Sequence, residues 1–517
     1  MATTAPPSLR VTWVQPEDLV GHELRQAAED GREAAGIARR WRAAGGAPPP
    51  DRAGASAAPS DPSLRPLAER LLEELGLLPC PSDEAEPTGL AAIRALQQPL
   101  HRAGLTAHQA PGPEDLALRL EAAWLGRAAG CLLGKPVEKL PLAGIRALAR
   151  ATGNWPLTSY FTEVGLDPAV AARYPWNRRS SSTSLAENID GMPEDDDLNY
   201  PLLGLLLLER HGHGFTTCDV ARLWLDELPA GRTFTAERIA YRNLLDGIEP
   251  PGTARYRNPF REWIGAQIRA DVHGWTHPGD PAAAAEGAWR DATLSHTANG
   301  VYAAMFVAAA MAEAAGGGAD VHGALRAGLA VIPGRSRLAQ AVRFGIAAAR
   351  DEPTGTADGF PAVVDRLHRT YGHHHWVHAV PNAALLAAAL THADGDFSGA
   401  ICRAVSGGWD TDSNGATAGS LTGLLAGRPA ALPRRWIAPL RGRLATSVGG
   451  TSLLMGVPPV ERSREWGRSR ELGGGLDGIG FDTLAARTAA LAVPAARATQ
   501  ATQATYAHPD RPEAPAP

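Results

Sequence analysis

Cysteine is scarce in this sequence, with four in 517 residues, at positions 80, 131, 218 and 402. That spacing supplies neither a zinc knuckle nor a disulfide framework, and a reduced, cytoplasmic protein is the simplest expectation. An excess of positive charge is lacking too. Fifty Lys and Arg stand against 55 Asp and Glu, for a formal charge of -5. No global field draws in nucleic acid, and the interrupted basic stretch at 434–443 reads as solvated surface. The first ten residues have no basic start followed by an apolar stretch, as a secretory signal requires. Long hydrophobic runs are missing as well. Val301–Ala312 falls short of the roughly 20 residues that span a bilayer, and Glu313 follows directly. Neither nucleic acid nor membrane is an expected partner. Strand-like alternation is scarce throughout.

What is present is helical patterning. Leu9–Val14 reads as a short strand, and a helical stretch follows from Asp18 to about Arg42. Gly45–Pro62 is dominated by Gly, Ala, Pro and Ser and reads as a flexible linker. Leucines at 64, 67, 71, 75 and 78 then share one helix face. Residues 1–113 are therefore expected to form an accessory region, either docked on the main domain or mediating assembly; the oligomeric state stays open. Residues 114–492 carry apolar stretches of helical length at Leu116–Leu133, Tyr200–Glu209, Thr297–Ala315, Ala319–Ala330, Ala383–Leu390 and Asn414–Ala426. An all-α, multi-helix domain is expected, because each amphipathic face must bury itself against another helix. Residues 493–517, rich in Ala, Thr, Gln and Pro, read as a disordered tail. Thirteen tryptophans outnumber the nine phenylalanines and eight tyrosines; most are expected to pack, with a few available to line a pocket.

Two of these helices share a four-residue repeat of small residues, Ala122-Gly126-Gly130-Gly134 and Gly415-Gly419-Gly423-Gly427. Such spacing stacks positions along one helix face, and glycine is costly inside a helix, so close backbone packing is predicted. Arg119, Glu121 and Arg127 argue against the membrane version of this motif.

Chemistry concentrates beside those helices. Met192–Tyr200 reads MPEDDDLNY, with four successive carboxylates, Glu194 to Asp197, before an apolar helix. Helix N-terminal charge accounts for one or two of them. Four adjacent anions repel, and a metal site answers that repulsion. Ser406–Ala416 reads SGGWDTDSNGA, placing Asp410 and Asp412 in a polar turn with Thr411, Ser413 and Asn414. Hard divalent cations favour such oxygen donors; an Asx turn or helix cap is the plainer alternative. His373, His374, His375 and His378 form a dense imidazole segment with zinc-binding chemistry. Adjacent residues do not all converge on one ion, so these read as surface or pocket-wall histidines. Asn299 reads as the N-cap of a long apolar helix.

The two acidic loops resemble the signature motifs of the ADP-ribosylglycohydrolase family, of the dinitrogenase reductase-activating glycohydrolase-like type. Ala122–Gly134 running into GKPVE at Gly134–Glu138 resembles its N-terminal motif. SHTANGVYAAMF at Ser295–Phe306, the stretch His378–Asn382 and GGWDTDSNGATAG at Gly407–Gly419 extend the resemblance over about residues 115–490. It implies a compact all-helical fold and two Mg2+ ions, with Mn2+ able to take their place. It implies Glu194, Asp195 and Asp196 as metal ligands on one side, with Asp410, Asp412 and Ser413 opposite. Asp197 and Thr411 are implied as supports, and Glu138 as an acid near the reaction centre. Catalytic proton handling falls to Glu138 or Asp196. Asn299, His378 and Trp409 become candidate substrate contacts, Trp409 by stacking on a base unless it merely fills space. The usual first motif carries a hydroxyl residue where Glu194 stands, and a smaller residue than Trp409 usually precedes the second aspartates.

The activity this implies is metal-dependent hydrolysis of an N-glycosidic bond to ADP-ribose or a related ribosyl group. The substrate is then an ADP-ribosylated protein or a small N-ribosyl compound. Alternatives are a hydrolase of small nucleoside-like N-ribosides and an inactive ADP-ribose-binding or assembly protein. A phosphoesterase is disfavoured, since no phosphate-clamping arginine is tied to either loop.

Overall fold

Apolar spacings of three and four residues become helix almost everywhere in the computed structural model, which describes residues 14–49, 60–97, 111–177, 180–449 and 476–493. The fold is all-α, as expected. Among the described residues the one sheet pairs Arg443–Leu444 with Ile479–Gly480, antiparallel. The predicted strand at 9–14 lies outside the described residues except for Val14, and nearly all of the predicted tail lies outside them too.

The helix expected over 18–42 is two helices, α1 (Pro16–Glu29) and α2 (Ala35–Ala43), separated by a turn in which Gly31 takes φ 72°. The leucine-striped segment is α3 (Arg65–Gly76), which buries Leu71, Leu72 and Leu75. The main body is organised by α4 (Pro113–Gly134), α5 (Asp196–His211), α6 (Ala298–Ala315), α7 (Arg337–Arg350), α8 (Ala379–Ala393) and α9 (Thr411–Ala426). Shorter amphipathic helices such as Thr217–Glu227, Pro281–Ala292 and Phe360–Tyr371 wrap this set.

The glycine repeats meet as predicted. Gly126 faces Gly419, Gly130 faces Gly415 and Gly423 faces Ala122, so α4 and α9 run antiparallel with their backbones in contact. A Cβ built on Gly130 or Gly415 would overlap the other's carbonyl group. Gly427 is not part of that seam: at φ 81° it ends α9 as a left-handed cap. The register sets the end of α4 beside the start of α9, where Gly134 packs on Thr411.

Helix α6 is long and apolar enough to cross a membrane by length and composition, yet 94% of that stretch is buried within the fold. It is apolar all round because other elements enclose it. The N-terminal region docks on the main body. Arg261 pairs with Glu23 at 2.9 Å and Asp30 at 2.8 Å, Arg337 with Glu86 at 2.7 Å, and Arg257 with Glu73 at 2.9 Å. Residues 50–59 of the expected linker lie outside the described residues. Its described N-terminal end is packed, with Trp41 Nε1 donating to the Ala47 carbonyl at 2.8 Å and Pro49 against Gly21.

Candidate metal centre

The two acidic segments are helix starts rather than free loops. Asp195 is the N-cap of α5, its carboxylate accepting from the Asp197 amide at 2.9 Å, and Asp196 and Asp197 occupy the first turn. Asp410 stands at the N-cap position of α9, with Asp412 in its first turn. Carboxylates suit these positions, where unpaired N–H groups and the helix dipole favour negative charge. Capping therefore explains part of each motif. It does not explain why two such ends are brought together.

They converge because α4 packs on α9 and carries Arg127 and Lys135. Arg127, fully buried, donates to the Asp197 carbonyl at 2.6 Å, to the Asp197 carboxylate at 3.1 Å and to Asp271 at 2.8 Å. Ser413 Oγ donates to the other Asp197 oxygen at 3.3 Å, so Asp197 ties α5 to α9. Thr411 Oγ1 donates to the Gly134 carbonyl at 2.9 Å. Asn382 holds the second segment from α8: its Oδ1 accepts from the Asp410 amide at 3.1 Å and from Asn414 Nδ2 at 2.7 Å. Asp197 and Thr411 thus tie the two segments to their neighbours, and Asp197 also groups with Asp195 and Cys131 as a set that could hold a metal ion.

The electrostatics follow from this crowding. Burial, then Asp195, Asp412 and Glu138, push Asp196 well above the usual carboxylate range. Burial and Asp412 do the same to Asp410. Asp412 is pushed up to about 7 by burial, Glu138 and Asp195. At Asp197 burial outweighs the attraction of Arg127 and the direction is again upward. Asp195 is the exception. Burial would raise it, but the Lys135 ammonium and the Asp197 amide together hold it low. Lys135 Nζ bonds directly to Asp195 and reaches the Glu194 carbonyl at 3.4 Å. The cluster carries more acid than its own cations neutralise, and oxygen donors in such excess fit hard divalent ions.

Glu138 and Glu194 lie half-buried beside this core. Glu138 accepts from Asn177 Nδ2 at 2.7 Å and pairs with Lys139 at 2.8 Å. Glu194 accepts from the Ser447 amide at 3.0 Å and from Asn199 Nδ2 at 3.2 Å. Its second oxygen pairs with Arg232 at 2.7 Å. An arginine is therefore tied to the first acidic segment, contrary to the sequence reading, through residues 38 positions downstream in the chain that only the fold brings back.

Each of the three candidate substrate contacts has partners within the fold. Asn299 is not an N-cap, because α6 begins at Ala298 after Thr297. Fully buried, it donates to Glu86 at 2.8 Å and accepts from the Leu338 amide at 2.9 Å. His378 caps α8, accepting from the Val380 amide at 3.2 Å, and faces Glu29 and Glu262. Trp409 is buried and stacks on His368 at 4.0 Å with planes 5° apart, which is the space-filling alternative. Its φ of 54° is strained for an aromatic residue. The residues missed in sequence were Lys135, Arg127, Asn177 and Arg232. Lys135 sits inside the GKPVE motif and was legible there; the other three carry no local signal.

The ADP-ribosylglycohydrolase family profile matches residues 112–458. Among solved structures, an ADP-ribosylglycohydrolase-related protein complex is 23% identical, with 63% of this chain and 93% of that chain covered and a TM-score of 0.41. Among curated proteins no relative matches.

Proposed function

The chain belongs to the ADP-ribosylglycohydrolase family, and from that premise we propose that it hydrolyses the N-glycosidic bond between ADP-ribose, or a related ribosyl group, and a nitrogen acceptor. The observation that supports the metal dependence is the crowding of acid at Asp196, Asp410 and Asp412, each pushed above its ordinary range by burial and by neighbouring carboxylates. Glu194, Asp195, Asp196, Asp410, Asp412 and Ser413 would hold two Mg2+ ions, or Mn2+ in their place. When bound, such ions supply Lewis acidity toward a water and toward ribose hydroxyls.

The chain's own residues have separable tasks in this reading. Asn382 and Thr411 position the start of α9, and Arg127 positions the start of α5. Glu138, half-buried and held by Asn177 and Lys139, would accept or return a proton at the edge of the cluster. Asp196 is the second candidate for that role. Arg232, half-exposed on Glu194, is available to a phosphate of the substrate.

The test uses purified full-length protein with ADP-ribosyl-arginine, O-linked ADP-ribosyl-serine and simple N-ribosides, with Mg2+ or Mn2+, and identifies products by mass. Release of the ribosyl group from an N-linked substrate is expected, and it should be abolished by a chelator and in Asp196→Ala and Asp412→Ala. Turnover of N-ribosides alone would narrow the substrate to small metabolites. Binding of ADP-ribose without turnover under any metal would favour an inactive binding protein. Cleavage of a phosphate ester with the same metal and mutational dependence, and no ribosyl product, would overturn the assignment.

A further inference from the structure

The histidine-rich turn before α8 takes no part in the centre described above. Glu29, the last residue of α1, enters it from the N-terminal region. His374 Nδ1 lies 3.5 Å from Glu29 Oε1, and His378 Nε2 lies 3.4 Å from Glu29 Oε2. Glu262 Oε2 approaches the same His378 nitrogen at 3.6 Å. The side chains of Glu29 and His374 are 7% and 6% exposed, and that of His378 is fully buried. Apart from these long Glu–His contacts, Glu29 Oε1, His374 Nδ1 and His378 Nε2 have no hydrogen-bond partner. Buried polar atoms are nearly always well partnered, so three whose nearest polar neighbours are one another at such long range call for an explanation.

We propose that Glu29, His374 and His378 form a second metal site, for a zinc-class transition ion, that staples α1 to the turn preceding α8. Its two imidazoles separate it from the acidic centre, where Cys131 groups with Asp195 and Asp197. Two imidazole nitrogens with a carboxylate select zinc-class ions, whereas all-oxygen sites suit magnesium. The spacing also fits. A tetrahedral ion with bonds of about 2.0–2.2 Å holds its ligand atoms about 3.3–3.5 Å apart, and one atom from each of these three residues lies within 4.8 Å of the others. Glu262 is the nearest further carboxylate, but Arg337 pairs with it at 3.0 Å, so water or Glu262 completes the shell.

An ion-free arrangement competes with this one. His378 Nδ1 accepts from the Val380 amide at 3.2 Å, which puts the ring proton on Nε2, facing Glu29. Metal at Nε2 moves that proton to Nδ1 and sacrifices the cap. One neutral cap bond is a small loss against the bonds of an ion to three side chains. His374 and His378 lie four apart in sequence, and no sequence pattern indicates that Glu29 joins them.

The test is metal retention by the full chain. Protein stripped with a chelator is dialysed against Zn2+ in excess Mg2+, added to compete at the acidic centre, and its zinc content and thermal midpoint are measured. One zinc per chain and a raised midpoint are expected. His374→Ala, at the rim of the cluster, and Glu29→Gln should each weaken zinc binding at least about tenfold, while Asp412→Ala retains it. Co2+ in place of zinc should give the visible absorption of a four-coordinate ion in wild-type protein, so the proposal does not depend on the variants folding. Retention unchanged in both cluster variants, loss in Asp412→Ala, or no zinc and no cobalt spectrum in folded wild-type protein would each overturn it. None of these outcomes depends on the ribosyl chemistry proposed above.

Discussion

Lys135 is a fixed positive charge inside a cluster otherwise made of acids. Burial opposes its ammonium, yet Asp195, with Cys131 and Asp412, raises it well above the lysine range, so the charge persists. Its partner Asp195 is nearly buried, with a side chain 8% exposed. Removing one member of such a pair leaves an uncompensated charge, at a cost of about 3–5 kcal/mol. Lys135→Met is therefore expected to lower the thermal midpoint in the presence of a chelator. Added Mg2+ or Mn2+ should recover more of the loss than it adds to wild type, because a bound cation replaces the missing charge. Thermal unfolding across a metal titration checks this; equal midpoints with and without metal in both proteins would remove Lys135 from the charge balance. Arg232 on Glu194 is the contrasting case. It is half-exposed, so its substitution should change stability by less than about 1 kcal/mol and any effect should fall on substrate binding.

Helices α4 and α9 carry the centre because nothing larger than hydrogen separates them. Alanine at a helical glycine normally gains about 1 kcal/mol of helix propensity. At Gly130 the added methyl would meet the Gly415 carbonyl, and overpacking of this kind costs about 1–3 kcal/mol, more where backbone must move. The second effect wins, and Gly130→Ala should lower the urea midpoint while weakening metal binding, since Gly134 and Thr411 lie one turn along the same seam. Gly76→Ala at the end of α3 is the control. Nothing lies within 4 Å of its added Cβ, so that substitution should be neutral or slightly stabilising. A Gly130→Ala protein as stable as wild type would mean the two helices can part without penalty.

At the scale of the molecule, the N-terminal region is attached through buried charge rather than through a broad apolar seam alone. Arg261 is buried between Glu23 and Asp30, and burial fails to depress it because those carboxylates raise it strongly. Arg261→Ala strips the buried Glu23 of its cation, at about 3–5 kcal/mol, while Asp30 keeps Arg32 at 3.2 Å and Arg337 at 3.6 Å. Limited proteolysis should then cut within residues 14–97 sooner than in wild type, while residues 111–449 stay resistant. Equal protection of both segments would show that the pair does not secure the docking. If zinc binds at Glu29, it should slow that cleavage in the wild-type chain.

The sequence by itself determined the all-α class, the two glycine-lined helices and the two acidic segments. Each of these is a local pattern: apolar spacing over one or two helical turns, a four-residue repeat, a run of carboxylates. It left boundaries loose where caps decide them. Asp195 and Asp410 start α5 and α9, several residues earlier than the apolar runs at Tyr200 and Asn414 imply, because polar residues can occupy a helix's first turn without extending its apolar face. Only the tertiary structure decided the partners. Lys135 meets Asp195 across 60 residues, Ser413 meets Asp197 across 216, and Asn299 meets Glu86 across 213. A hydrogen bond or ion pair is a contact of about 3 Å, and which charges come that close depends on how whole helices stack, a property that no stretch of sequence a few turns long contains.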